Sequence, residues 1–224
     1  MKLDSYFATI GSMEEQKRAD VISNNIANSN SPGFKKDSLS FSDVLGDVSF
    51  TSMSQGPIRE TGEMLDIALS GDGFLSVQTD QGTLYTRAGN LSLNKAKQLV
   101  TQDGWPILGK KGPIIVNNVS NFHVSEDGQV FDGNDSVDQL DIAQFSPNDL
   151  HKVLNGYFQP LTTEIQPGAA KNCTVRQGYL EGPNFNPVEE MARMVQTMRI
   201  FESYQKTIQN SGSLDNQLIA KTSG

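Results

Sequence analysis

Few residues in this sequence have the types and spacing that chemistry requires. Histidine occurs twice, at His123 and His151, and cysteine once, at Cys173. A Ser–His–Asp hydrolase needs an activated serine on a sharp strand-to-helix elbow, and no G-x-S-x-G stands in the chain. His123 lies in an alternating strand-like run and His151 follows Asp149-Leu150 in a loop, so both read as structural or solvated. Two histidines and one cysteine are too few for a zinc site, and a lone cysteine excludes an intrachain disulfide and any CxxC motif. Cys173 reads as a small, buried or half-buried residue at the start of a β run. Asp127, Asp132, Asp135, Asp138 and Asp141 crowd together but lack the sixth-position Gly and twelfth-position Glu of an EF-hand loop. They read as solvated turns, with weak calcium binding as the alternative. Gly71-x-Gly73 lacks the third glycine and the following helix of a dinucleotide fingerprint. Lys35-Lys36 and Lys110-Lys111 are too short to grip nucleic acid and read as solvated charge. No catalytic residue, metal or cofactor is expected, and a carboxylate-based hydrolase is the enzymatic alternative.

The balance of the chain agrees. Its 224 residues carry 26 Asp and Glu against 18 Lys and Arg, a net charge of −8, where a phosphate-backbone binder needs a basic footprint. Hydrophobic residues make up 36%, and 11 Phe, 5 Tyr and 1 Trp suffice for a core. No run of ~18 apolar residues occurs, so no membrane-spanning helix is expected. The first sixteen residues have no apolar h-region and carry Asp4, so a secretory signal peptide is not expected either.

The elements that would position any site fall into three parts. Residues 1–29 read as an amphipathic helix, with Leu3, Tyr6, Ile10 and Met13, then Ala19, Ile22 and Ile26, at steps of three and four. Gly11 is a weak spot in it, and the turn formers from Asn28 to Gly33 end it. Residues 187–221 read as a second helix, with Asn186 as N-cap, Pro187 at the first position and Glu189 placed for a capping box. Val188, Met191, Val195, Met198, Phe201, Tyr204 and Ile208 form its stripe. Between the helices, β-rich runs at 74–77, 84–87, 98–100, 114–116, 122–124, 129–131, 140–145 and 174–177 are punctuated by Asp-Gly pairs. Such pairs signal hairpins in which both turn residues take φ > 0. Residues 34–64 show no period and read as an extended connector. The fold class expected is α+β. Its helical assembly domain comprises 1–29 with 187–224, the connector 30–64, and a central antiparallel all-β domain 65–186.

Amphipathic helices at both ends of one chain must bury their stripes, since each large apolar side chain left in water forgoes roughly 1.5–3 kcal/mol. They can form an intramolecular hairpin on the sheet or a seam shared between subunits. The residues after the first helix, Asn24-Asn25-Ile26-Ala27-Asn28 through Gly33-Phe34-Lys35, resemble the NNxAN…GFK signature of bacterial flagellar rod and hook proteins. Gln177-Gly178-Tyr179-Leu180-Glu181-Gly182, Asn184, Val188-Glu189-Glu190-Met191 and Arg199-Ile200-Phe201-Glu202 resemble the lead into that family's C-terminal helix. Gly71-Asp72-Gly73-Phe74-Leu75 and Leu84-Tyr85-Thr86-Arg87-Ala88-Gly89-Asn90 resemble its β-domain opening. Short length, a compact β domain and Phe201 before Glu202 suggest the proximal-rod branch, with the distal-rod branch as runner-up.

The resemblance implies a structural subunit of the basal-body rod. Its terminal helices would pair as a coiled-coil-like layer around the export channel and its β domain would form an outer layer. The subunit would transmit torque from motor to hook as the rod crosses the periplasm. Expected partners are other rod proteins, copies of itself and the flagellar type III export apparatus, with no nucleic acid and no direct membrane insertion. The expected subunit-interface residues are Leu3, Tyr6, Ile10, Met13, Ile22, Asn25, Ile26, Asn28, Phe34, Val188, Met191, Val195, Met198, Phe201, Tyr204 and Ile208. A methionine-rich seam of Met13, Met191, Met194 and Met198 would adapt to differing neighbours. The helical ends are expected to be disordered before assembly and to order on binding. From another class, a β-domain binding module on a two-helix stalk remains the alternative.

Overall fold

The computed structural model describes residues 2–39, 49–80, 82–146, 149–154, 156–162, 165, 167–170 and 172–222. The chain is α+β, with a helix at each end and an antiparallel β-rich middle. It divides into two units. A helical unit gathers Met1–Ser29, Asp37–Phe50 and Phe185–Gly224, and a β unit gathers Asn30–Lys36 and Thr51–Asn184.

In the helical unit, α1 (Lys2–Ala27) and α2 (Pro187–Thr222) run 26 and 36 residues, about 39 and 54 Å at ~1.5 Å per residue. α2 starts as the sequence predicts: Asn186 Oδ1 accepts from the Val188 amide at 3.0 Å. Glu189 and Glu190 follow in the first turn, where the helix dipole favours negative charge. α1 ends where its last carbonyls find nearby donors. The Asn28 amide donates to the Asn25 carbonyl at 3.0 Å and its side chain to the Asn24 carbonyl at 2.9 Å. The small or polar residues Ala8, Gly11, Ser12, Glu15 and Ala19, with Ile22 and Asn25, make the buried side of α1.

The β unit is built round a six-stranded antiparallel sheet. Its strands run in the order Leu150–Leu154, Tyr157–Pro160, Gly82–Thr86, Phe74–Thr79, Ile142–Gln144 and Gly168–Ala169. The central strand is buried on both faces. Leu75 and Val77 enter the main core with Ile67, Leu99, Ile107 and Val130, while Phe74 enters a second cluster with Tyr85, Leu150 and Phe158. A three-stranded sheet, Phe122–Val124, Gln129–Asp132 and Asp135–Gln139, adds Phe122, Val124 and Val130 to the main core. The sequence reading missed the strands Ile67–Gly71, Leu150–Leu154 and Tyr157–Pro160. It placed a strand at 114–116, where the backbone makes a single bridge, Ile115 to Gln98. The 30–64 stretch contains three short strands, of which Ile58–Glu60 pairs with Tyr179–Glu181.

The Asp-Gly turns differ from the expectation in one physical respect. Gly104, Gly128 and Gly133 have φ of +85, +81 and +71°, but no described aspartate has positive φ. At two of the turns the amide three residues on donates to the first carbonyl: Gly104 to Thr101 at 3.0 Å and Gly128 to Ser125 at 2.9 Å. These are longer loops that need only one left-handed residue, at the fourth position. A third copy closes at Asn94, where the Lys97 amide donates to the Asn94 carbonyl at 2.9 Å. There Lys97 occupies the glycine position with φ of +62°, alone among described non-glycine residues. Lys97→Gly should therefore stabilise the β unit by about 1 kcal/mol. A thermal melt checks it: a rise in Tm is expected, and a fall contradicts the strain.

Candidate functional site

The residues that could do chemistry are dispersed. His123 Nδ1 lies 3.0 Å from Gln177 Oε1 on an exposed surface, and His151 is exposed on an outer strand of the six-stranded sheet. Among the described residues no three His, Cys, Asp or Glu side chains gather as metal ligands. The crowded aspartates cap separate backbone amides instead. Asp132 accepts from Asn117 at 3.0 Å and Asp138 from Lys111 at 3.1 Å. Asp138 is buried, which corrects its reading as a solvated turn. Ser125 donates to Asp127 and holds that carboxyl below the ordinary range. Cys173 is half-buried, and burial pushes its thiol up.

Two apolar faces stand out on the helical unit. On α1, Leu3, Tyr6, Phe7 and Met13 are exposed. On α2, Val188, Met191, Val195 and Met198 are exposed. At about 100° per residue these four α2 positions span roughly 80°, and Phe201, Tyr204 and Ile208 lie about 130° round the helix from them. The apolar stripe read as continuous along α2 is thus two faces. Glu190 and Thr197 are buried, and Met194, Phe201, Tyr204 and Ile208 are half-buried, on the second face. α1 divides the same way: Leu3, Tyr6 and Met13 are exposed, whereas Ala19 and Ile22 are buried. The sequence reading omitted Phe7, whose ring meets that of Tyr6 edge-on at 6.0 Å.

The helix pair meets closely because Gly11 lets it. A Cβ built there would sit 2.5 Å from the Tyr204 ring. Gly11 is therefore a contact point, where the sequence suggested only a weak spot. Further along, Asn25 is almost wholly buried. Its amide donates to the Asp37 carbonyl at 2.9 Å and reaches Glu190 Oε2 at 3.4 Å, while its oxygen accepts from the Asp37 amide at 3.1 Å. Of the expected interface residues, Ile22, Asn25 and Phe34 are buried within this one chain, and Ile10, Ile26, Asn28, Phe201, Tyr204 and Ile208 are half-buried. Seven remain exposed: Leu3, Tyr6, Met13, Val188, Met191, Val195 and Met198.

The β unit carries a buried ionic node. Lys35 Nζ contacts Glu181 Oε1 at 2.6 Å and donates to the Ser54 carbonyl at 2.7 Å. Arg87 contacts Glu181 Oε2 at 3.2 Å and donates to the Gly71 carbonyl at 2.7 Å. The Gly56 amide donates to Glu181 Oε1 at 2.8 Å, and the Gly33 amide to the Glu181 carbonyl at 2.7 Å. All three charged side chains are buried, so the reading of Lys35 as solvated charge is wrong. Burial pushes the Lys35 ammonium below the usual lysine value, the neighbouring Glu181 pulls it back up, and the Arg87 charge adds to the lowering. Glycine is obligatory beside the node. Gly33 has φ of +67°, and a Cβ there would sit 2.3 Å from the Arg87 backbone. Phe34 is covered by Lys152, whose Nζ stands 3.9 Å from its ring centre. The side chain of Asn184 donates to the Ser52 carbonyl at 2.7 Å and accepts from the Lys36 amide at 2.8 Å. The residues just after α1 and just before α2 are thus bonded to one another inside the β unit. The sequence reading quoted Lys35, Arg87 and Glu181 for their motifs and did not bring them together.

The chain carries a helix at each end and an antiparallel β-rich middle. The comparisons supply its class. Residues 6–35 match the family model for flagella basal body rod protein, 68–131 that for the flagellar hook protein FlgE/F/G D1 domain, and 176–220 that for the flagellar basal body rod FlgEFG protein C-terminal. A Rhizobium meliloti flagellar basal-body rod protein FlgF is 30% identical, covering 97% of both chains. A Salmonella typhimurium FlgF is 32% identical over 89% of this chain and 91% of its own. A Bacillus subtilis FlgG is 31% identical over 97% of this chain and 98% of its own. The chain belongs to the flagellar basal-body rod proteins, and within them to the FlgF type. It is a structural subunit of the basal-body rod and not an enzyme, which sets aside the hydrolase and stalked-module alternatives. Each matched segment supplies one member of the node: Lys35 the first, Arg87 the second, Glu181 the third.

Two outcomes follow from this geometry. Glu181→Leu leaves two buried cations without their carboxylate and should cost about 3–5 kcal/mol. Lys35→Met leaves the Arg87–Glu181 pair intact and should cost less. Urea unfolding followed at Trp105, the chain's single tryptophan, measures both, and equal small losses would contradict the node. Gly→Ala in a helix interior ordinarily gains about 1 kcal/mol. Gly11→Ala should show no such gain by helical circular dichroism, and should recover it in a Tyr204→Ala background.

Proposed function

We propose that residues 1–29 with 187–224 form the helical assembly domain, that 30–64 is a connector, and that 65–186 is the β-rich domain. α1 and α2 pair as a coiled-coil-like layer. The subunit polymerises axially around the export channel, crosses the periplasm as part of the rod, and transmits torque from motor to hook. Its partners are copies of itself and other rod proteins, and it arrives through the type III export apparatus. The observation that carries this reading is the pair of apolar faces left uncovered on α1 and α2. Eight large apolar side chains in water forgo burial worth roughly 1.5–3 kcal/mol each, and neighbouring subunits supply the missing surface. Two different faces on one unit give a heterologous contact, which repeats without closing when the rotation does not close.

The interface residues are therefore Leu3, Tyr6, Phe7, Met13, Val188, Met191, Val195 and Met198. Ile10, Ile26, Asn28, Phe201, Tyr204 and Ile208 contribute from half-buried positions. Ile22, Asn25 and Phe34 act indirectly, by holding the unit that presents them. Val195→Asp places a charge on the α2 face and should cut basal-body recovery at least tenfold in a complemented null strain, while Trp105 fluorescence shows the β unit folded. Normal rods in that strain would refute the assignment.

A further inference from the structure

The chain has seven methionines, and their exposure divides them usefully. Met13, Met191 and Met198 are 57%, 52% and 47% exposed, all on the apolar helical faces. Met64 is 50% exposed on the β unit. Met53 is half-buried against the aromatic cluster, and Met194 is half-buried on the second face of α2. Thioether reactivity toward peroxide follows access to the sulfur. We propose that Met13, Met191 and Met198 form an oxidation-sensitive set, open to modification in the unassembled subunit and shielded once neighbours cover the helical faces. The proposal rests on the assembly reading above.

The chemistry needs one co-reactant, a hydroperoxide such as hydrogen peroxide. A sulfur lone pair attacks one peroxide oxygen and the O–O bond breaks. The departing hydroxide takes up the proton that the transferred oxygen carried and leaves as water, and sulfur keeps that oxygen as sulfoxide. Sulfur loses two electrons and the peroxide gains them. The product replaces a flexible apolar side chain with a polar one. A seam that must bury it then buries a sulfoxide oxygen without a donor, an arrangement that opposes burial. Three such positions per subunit make the free subunit vulnerable and the finished rod resistant. Met64 provides the internal reference, since it is comparably exposed and lies off the helical faces.

Peptide mass spectrometry after hydrogen peroxide treatment tests the first half. In the purified subunit, Met13, Met191, Met198 and Met64 should oxidise at rates within about threefold of one another. In isolated basal bodies, the first three should be protected at least tenfold relative to Met64. Equal oxidation in both samples would overturn the assembly reading and the proposal with it. The second half compares cells making wild-type protein with cells making Met13→Leu/Met191→Leu/Met198→Leu, pulsed with sublethal peroxide during rod formation. Wild type should lose at least threefold more basal bodies than the variant. Protection in the rod with equal losses in both strains would overturn the proposal and leave the assembly reading standing. Met191→Leu alone serves as the comparison strain if the triple variant builds no rods.

Discussion

One buried carboxylate, Glu181, ties distant stretches of the β unit to one another. It accepts from Lys35, Arg87 and the Gly56 amide, while its backbone carbonyl accepts from Gly33. These partners come from three separated stretches of sequence, at 33–35, 56 and 87. A buried ionic cluster is a poor source of net stability, because desolvating the charges offsets their attraction. Its value is discrimination: displacing any member strands a charge in a dry interior. Two cations against one carboxylate sharpen this, and burial alone already pushes the Lys35 ammonium down.

The helical unit has its own tie between its two helices, centred on an amide side chain. Asn25 pairs with both backbone groups of Asp37 and reaches Glu190. Gly11 then admits the Tyr204 ring, and small residues line the buried side of α1. A close helix contact made by small residues uses up little apolar surface. That leaves the large side chains, Leu3, Tyr6, Phe7, Met13 and the four on α2, on the outside. The arrangement suits a subunit whose hydrophobic burial is completed by its neighbours, whereas the β unit encloses two apolar clusters of its own.

Periodicity made both helices and their caps legible, because N-caps, prolines and turn formers act locally. The faces were harder. Stepping by three and four tracks one stripe over two turns, but over 20 residues the true period of 3.6 carries it round the helix. So Val188 and Ile208 were assigned to one stripe and lie on different sides. Strands such as Ile67–Gly71 and Tyr157–Pro160 were missed because their residues are buried by partners far away in sequence, and nothing local marks them. Lys35 was misread for the same reason. A Lys-Lys pair looks solvated until Glu181, 146 residues later, is placed beside it. The motif resemblance pointed to these residues without saying what they do.

Amide hydrogen exchange on the intact subunit tests the central claim most directly. The Gly33 and Gly56 amides both donate to Glu181. If the node is part of the β core, they exchange only when the whole unit unfolds. They should then share the protection and denaturant dependence of the Ser76 and Gln78 amides, which bond to Asp141 and Pro106 across the core. Fast, denaturant-independent exchange at Gly33 and Gly56, with Ser76 and Gln78 still protected, would show that these segments fray from the β core and that the node holds nothing together.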